Sequence, residues 1–269
     1  MTSTACTPRA HRRADAARMP EGPSIVILKE LAAGFAGKRV LRAEGNTRTI
    51  DVARMQGATV RRLESWGKHF LLVFDGFSVR VHFMLFGIYA IDEQRAGRTA
   101  RLHLAFARGR QLNFYACSLQ YVEGDPADAY DFSADVMADA WNPRAALRKL
   151  RAMPETLVCD ALLEQSVFSG VGNIIKNEVL FRIKVHPQSQ VGALPAAKLR
   201  EMVKQAREYS FDFYRWKKAY ELRKHYQVHT KTTCPRDGAR LHYQKHLGVK
   251  GRRAFWCELC QKRYDLPVF

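Results

Sequence analysis

Gln165-Ser166-Val167-Phe168-Ser169-Gly170-Val171-Gly172-Asn173-Ile174 reads as the end of one helix, a glycine turn, and a second helix starting near Asn173. Glycine adopts backbone conformations that other residues avoid, so Gly170 and Gly172 favour a sharp reversal here. Such a turn leaves backbone N–H groups facing outward at the new helix's N-terminus, where the helix dipole favours a phosphate. Asn173 can cap that helix or donate to the same phosphate. A plain helix-to-helix turn uses the same residues, so the segment has to be weighed with its surroundings.

Those surroundings are helical. Residues 144–151, 155–168, 173–183 and 196–216 carry apolar positions at helical spacing, and His186-Pro187 punctuates them. Upstream of Pro143 the pattern changes to short apolar runs: Ala58–Leu63, Phe70–Phe74, Ser78–Phe83, Phe86–Ile91, the alternating Leu102, Leu104 and Phe106, and Leu112–Ala116. Asp75-Gly76 and Arg108-Gly109 mark hairpin turns between them. An antiparallel sandwich or barrel is expected, led by a helix from Gly22 to Phe35 with Gly37 as its stop. Neither internal repeats nor low-complexity segments interrupt this plan.

Beyond about residue 225 the chain is basic and too short for a core of its own, and small modules of that kind usually need a metal. Cys257-Glu258-Leu259-Cys260 places two thiolates three positions apart, as one knuckle of a zinc ribbon requires. Cys234-Pro235-Arg236-Asp237-Gly238 would form the other knuckle, with Asp237 where a second cysteine would stand. A carboxylate is an acceptable though less common zinc donor, and His242 and His246 compete for the fourth place. A hairpin that keeps its shape by packing alone is the plainer reading. Arg252 and Arg253 stand at the tip of that hairpin, suited to phosphate or to a merely charged turn.

At the other end lies Met19-Pro20-Glu21-Gly22-Pro23-Ser24, which has the look of a mature N-terminus although eighteen residues precede it. A proline freed by loss of an initiator methionine is a secondary amine able to attack an aldehyde-level carbon and form an iminium. Within a peptide bond the same nitrogen is inert. Pro20 and Pro23 also suit the first turn of a helix, which is the structural alternative. Gly67-Lys68 enters the strand Phe70–Phe74, a place where a lysine is ordinarily solvated. Met84-Leu85-Phe86 falls between two strands, where core packing competes with filling the gap left by an extruded base. His82 reads as a structural histidine.

The formal charge of +18 on 269 residues points to a polyanionic partner, nucleic acid before an anionic membrane surface. Arg9, Arg12, Arg13 and Arg18 against Asp15 account for little of that excess, which belongs to the body. No apolar run approaches a membrane span, and the extension lacks the apolar core of a secretory signal. Cys6, Cys117 and Cys159 are scattered while Cys234, Cys257 and Cys260 cluster, a pattern of metal binding in a reducing compartment and hence a cytoplasmic protein.

Taken in order, Met19-Pro20-Glu21-Gly22-Pro23, Gly67-Lys68, Gln165–Asn173 with His186-Pro187, and the C-terminal finger resemble the formamidopyrimidine-DNA glycosylase and endonuclease VIII family. The resemblance covers residues 19 to about 263. It implies an α+β multidomain chain: an antiparallel β-sandwich with a leading helix over 19–142, a helix–two-turn–helix domain over 143–228, and a β-hairpin zinc finger over 229–269. Residues 1–18 stand outside the pattern, as a misassigned start or a disordered arm.

The resemblance further implies a bifunctional DNA glycosylase and AP lyase that excises oxidised bases. Pro20 would attack C1′, Glu21 would assist proton transfer, and Lys68 would serve both catalysis and phosphate binding. Asn173 and Arg252 would grip phosphates, and Met84, Leu85 and Phe86 would fill the void. Cys234, Asp237, Cys257 and Cys260 would hold a structural Zn2+. Damaged double-stranded DNA is the implied partner, with single-stranded DNA as the alternative, and the protein would act as a monomer. Three departures stand out: the extension, Ser24 where many members carry glutamate, and Asp237. Gly22, Trp66 and Phe86 lean toward the endonuclease VIII branch, which mainly removes oxidised pyrimidines. The rival reading is a protein of the same fold that recognises lesions or structured DNA without cutting.

Overall fold

Helix α1 (Gly22–Leu31) opens the computed structural model, which describes residues 20–267. The expected extension over 1–18 and the start at Met19 lie outside the described residues. Pro23 in its first turn suits a helix start, and Ile25 and Leu28 are buried on one face. The chain then leaves the helix through a 3-10 turn at Ala33–Phe35, so the helix expected as far as Phe35 ends earlier.

Eight strands follow: β1 (Arg42–Glu44), β2 (Arg62–Trp66), β3 (His69–Val73), β4 (Phe77–His82), β5 (Ile88–Ile91), β6 (Leu102–Ala105), β7 (Gln111–Tyr115) and β8 (Ser118–Glu123). They form two four-stranded antiparallel sheets, in the orders β1-β6-β7-β5 and β2-β3-β4-β8. The sandwich core joins Phe70, Leu72, Val79 and Val81 of one sheet to Leu102, Leu104, Leu112 and Phe114 of the other, with Ile25 and Leu28 of α1. Asp75-Gly76 makes the β3–β4 turn as expected, with Val73 opposite Ser78. The run Ala58–Leu63 is not a strand as a whole. Val60 bonds to Lys38 and Gly37 instead, and the strand starts at Arg62. Short β1 and the half-polar β8 have too few apolar residues to announce themselves by alternation.

After a single turn of helix, α2 (Pro126–Ala129), come α3 (Pro143–Arg151), α4 (Val158–Ala161), α5 (Asn173–Arg182) and the long α6 (Ala196–Lys218). Asn142 caps α3 by accepting the N–H of Ala145 at 3.0 Å. Met202, Val203, Ala206, Tyr209 and Phe213 of α6 are buried at helical spacing against Ile175, Val179 and Phe168. The helix expected over 155–168 is reduced to α4. Val158 N–H bonds outward to Ser189, and beyond Leu163 the chain coils back in successive turns held by Gln165. The C-terminal hairpin, β9 (His242–Leu247) and β10 (Arg252–Trp256), sends Leu247, Ala254 and Trp256 into the same helical core. Among the described residues no helix is long and apolar enough to cross a membrane.

Candidate active site

Three chain segments meet backbone to backbone where the sandwich joins the helices. Gly22 N–H donates to the Gly170 carbonyl at 2.8 Å, and Gly67 N–H donates to Oδ2 of Asp135 at 2.8 Å. Gly67 has a φ of +53°, and a Cβ there would fall 2.1 Å from Ser169 Oγ and 2.9 Å from the Gly170 nitrogen. Only glycine allows that approach. Asp135 is buried, accepts Met137 N–H as well, and belongs to a segment bridged to Ser169. The turn carrying Lys68 is thereby fixed against the glycine turn of the helices.

Glu21 lies inside this junction, 1% exposed. Its Oε1 accepts Ile174 N–H at 2.7 Å, and its Oε2 accepts Gly172 N–H at 3.1 Å and Ile175 N–H at 3.2 Å. The glycine turn therefore does not leave these amides open for a phosphate, as its sequence suggests. The positive end of α5 is occupied by a carboxylate from the chain's own N-terminal segment, the group such an end favours. A Cβ at Gly172 would fall 2.4 Å from Glu21 Cδ, so the carboxylate and the glycine are matched. Burial raises the Glu21 carboxyl above its ordinary range, against the opposing pull of Lys68 and the three amides. Pro20, directly before it, is half-buried.

Lys68 is half-buried beside Glu21, and burial lowers its amine while the Glu21 charge raises it and Arg252 and Lys250 lower it further. Glu21, Lys68 and Arg252 thus share one electrostatic neighbourhood although they come from three separate parts of the chain. Met84, Leu85 and Phe86 leave the sheet at the same end, because His69 pairs with His82 across β3 and β4. All three are exposed, Phe86 by 64%. Met84 holds a φ of 52°, a left-handed conformation that costs a non-glycine residue about 1–2 kcal/mol. His82 packs edge-on against His69 at 5.2 Å, a ring contact rather than a reactive placement. Asn173 is the first residue of α5, behind Gly172 as N-cap, so it does not cap the helix. It is buried, and its Oδ1 has no hydrogen-bond partner. Ser24 Oγ is equally without one.

The hairpin bearing Arg252 is tied down on both sides. Asp160 accepts Val249 N–H at 2.8 Å and Lys250 N–H at 3.0 Å, clamping the tip to α4. Lys176 of α5, 1% exposed, donates Nζ to the Arg253 carbonyl at 2.8 Å. Arg252 is exposed between these two anchors. Burial pushes the Lys176 amine down to about 8 from an ordinary 10.5, against Cys159, Asp160 and Glu21, which raise it. Between those values the unfolded chain holds a proton that the folded chain has released, so the Lys176 contribution to stability rises with pH across that window, while the buried thiols of Cys117 and Cys159, pushed up to about 12, contribute in the opposite sense. Lys176→Met should remove that contribution, making the slope of stability against pH less positive in denaturant melts taken from about pH 8 to about pH 10.5. An unchanged slope would mean that Lys176 keeps its proton in the fold.

Cys234, Asp237, Cys257 and Cys260 bring one donor atom each within 4.8 Å of one another and can hold a metal ion. Sγ of Cys234 and Cys260 are 3.9 Å apart, and Asp237 Oδ2 lies 3.3 Å from Cys257 Sγ. A tetrahedral zinc with Zn–S near 2.3 Å and Zn–O near 2.0 Å requires edges of about 3.8 Å and about 3.5 Å, so the donor set fits. His242 instead stacks on Trp256, and His246 Nδ1 faces the Gly251 carbonyl at 3.1 Å. Neither joins the group.

Sequence reasoning singled out Glu21, Lys68 and Arg252 and did not find Asp135, Asp160 or Lys176. The last three hold loops through backbone groups, and an acidic or basic residue in a helical or loop stretch reads as solvated. The one available signal was Gly248 directly after the polar strand His242–Leu247, a glycine that marks the turn Asp160 holds.

Comparison with known proteins agrees with this geometry. The model of the formamidopyrimidine-DNA glycosylase N-terminal domain matches residues 19–117, and that of its H2TH domain matches residues 133–209. Endonuclease 8-like 3 of Xenopus laevis is 28% identical over 224 residues, 79% of this chain but 36% of its own length. The chain therefore spans little more than a third of that relative. DNA-(apurinic or apyrimidinic site) lyase Nei2 of Mycolicibacterium smegmatis is 28% identical over 262 residues, covering 90% of this chain and 99% of that protein. In fold, the chain matches the crystal structure of Lactococcus lactis formamidopyrimidine-DNA glycosylase bound non-covalently to AP-site DNA. The TM-score is 0.79 at 21% identity, over 90% of this chain and 100% of that one. With both domain models in register, and the finger and glycine junction in place, the chain belongs to the formamidopyrimidine-DNA glycosylase and endonuclease VIII family.

Proposed function

We propose that the chain is a bifunctional DNA glycosylase and AP lyase that excises oxidised bases, chiefly pyrimidines, from double-stranded DNA. The observation that carries this reading is Glu21, a buried carboxyl with a raised affinity for protons, adjacent to Pro20 and beside Lys68. A carboxyl poised to hold a proton in a dry site is what sugar ring opening needs. The free secondary amine of Pro20 attacks C1′, the base leaves, and the ring oxygen takes a proton from Glu21. The resulting iminium acidifies the C2′ proton. Its loss expels the 3′ phosphate, a second elimination expels the 5′ phosphate, and water then releases the amine.

Lys68, Asn173 and Arg252 are assigned to phosphates around the lesion, and Met84, Leu85 and Phe86 to the void left by the extruded base. Base extrusion costs a few kcal/mol, least at a damaged pair, and phosphate contacts offset it. The exposure of Arg252 between two anchors and the exposure of the 84–86 loop support these roles. Residues 19–142, 143–228 and 229–269 are taken as the catalytic, helix–two-turn–helix and finger units of a monomer in a reducing, cytoplasmic setting. Zinc is assigned to Cys234, Asp237, Cys257 and Cys260, where it would fix the base of the hairpin. Purified protein should carry stoichiometric zinc, and Asp237→Ala should lose most of it. Full retention would shift the assignment to another ligand.

The direct test of the function uses protein whose first residue is Pro20 and duplexes with 5-hydroxyuracil or 8-oxoguanine. Base release with phosphate at both ends of the gap is expected, faster on the pyrimidine. Tight lesion binding without release would favour recognition without cutting.

A further inference from the structure

A groove of about 920 Å³ lies along α6, between it and the start of α3, at the end of α5 away from Glu21. Helix α5 starts at Asn173 beneath the Glu21 carboxylate and reaches the groove at Arg182, about 13.5 Å further along its axis. The groove has an apolar floor and a basic rim. Trp141, Leu147, Val203 and Phe211 supply the floor. On the rim, Asp212 is taken up by Arg182 and Arg215, and Glu208 by Gln205 at 2.6 Å and Lys204 at 3.7 Å. Arg207 gives Nη1 to the carbonyls of Val136 and Ala138. Arg144 and Arg200 are exposed and make no ion pair among the described residues.

We propose that this groove docks an acidic segment of a partner protein, with aromatic or aliphatic side chains on the floor and carboxylates on Arg144 and Arg200. The charge balance selects an anionic occupant. The floor selects a peptide over a nucleic acid. Trp141 packs against Phe168 with ring centroids 6.0 Å apart, and Arg207 lies 5.1 Å over Phe211, so one side of each ring is already taken within the fold. Leu147 and Val203 offer contact to apolar side chains and nothing to a phosphate.

The test uses the full chain and a short fluorescein-labelled peptide of aspartates and glutamates ending in two phenylalanines. Fluorescence anisotropy should show saturable binding that persists when lesion-bearing duplex is saturating. Arg144→Glu with Arg200→Glu should weaken it about tenfold or more while leaving affinity for the duplex unchanged. A peptide lacking the phenylalanines should bind about as weakly as the intact peptide binds that variant. Glutamate in the first turn of α3 is favoured by the helix dipole, so the fold is not at stake. Should the thermal midpoint nevertheless fall, Arg144→Gln with Arg200→Gln gives the same reading. Absence of saturable binding, or affinity indifferent to the variant or to the phenylalanines, overturns the proposal. So does an equal loss of duplex affinity, which would make the groove a nucleic-acid surface.

Discussion

Protein that begins at Pro20 should form a borohydride-stable adduct with DNA carrying an oxidised pyrimidine, and protein that retains residues before Pro20 should form none. The difference is one of kind. A proline nitrogen within a peptide bond has neither a proton nor an available lone pair, since resonance gives its C–N bond partial double-bond character. Freed, it is a secondary amine that on the proposed mechanism would form an iminium with C1′, and hydride would reduce that iminium to a tertiary amine that water cannot release. Pro20 is half-buried and sits next to a carboxyl fixed by three hydrogen bonds, so the amine would be delivered to one place. Retained DNA affinity in both forms would confirm that the chain beyond Pro20 is intact. An adduct from the longer form as well would move the nucleophile to another amine. Lys68 would be the first to examine, because burial already lowers its amine. No adduct from either form, with binding intact, would favour a protein that recognises lesions without cutting.

Much of this architecture is legible in the sequence, and the reasons differ from element to element. Alternation of Leu102 and Leu104 with half-exposed neighbours gives β6, because a strand with one buried face must alternate. The continuous apolar run of β3 is covered on both faces and shows its boundaries only through Gly67 and Asp75-Gly76. The pairing of Cys257 with Cys260 marks the finger because chelation restricts spacing. The reading fails where long-range contacts decide. Residues 155–168 have helical spacing, yet the two turns that follow α4 are held by the Gln165 side chain, whose amide reaches the Leu163 and Val171 carbonyls. Periodicity cannot report that. In the same way Gly170 and Gly172 reveal a tight turn and hide what it faces. The amides that follow look like a phosphate site until Glu21, about 150 positions earlier in the chain, is placed upon them.

That placement gives Glu21 a structural duty, the proposed function adds a catalytic one, and Glu21→Gln is expected to expose both. Removing the ionisable proton should lower base excision by a factor of about 10² to about 10⁴, the range general acid–base assistance supplies. The structural duty follows from the hydrogen bonds. Oε2 accepts from Gly172 and Ile175 and Oε1 from Ile174, so whichever oxygen becomes NH2 confronts at least one amide N–H with another donor. Leaving one buried donor unsatisfied costs about 1–3 kcal/mol, which in a chain of this size lowers the melting temperature by a few degrees. The amide turned toward Ile174 loses one bond and keeps two, so that is the arrangement to expect. Lesion-duplex affinity should change by no more than a few-fold, because Glu21 is buried beneath the α5 terminus and cannot itself reach a phosphate. Excision should therefore fall far more than binding or folding does. Parallel losses of excision and affinity would instead leave Glu21 as the stitch between sandwich and helices alone, with the proton supplied from elsewhere.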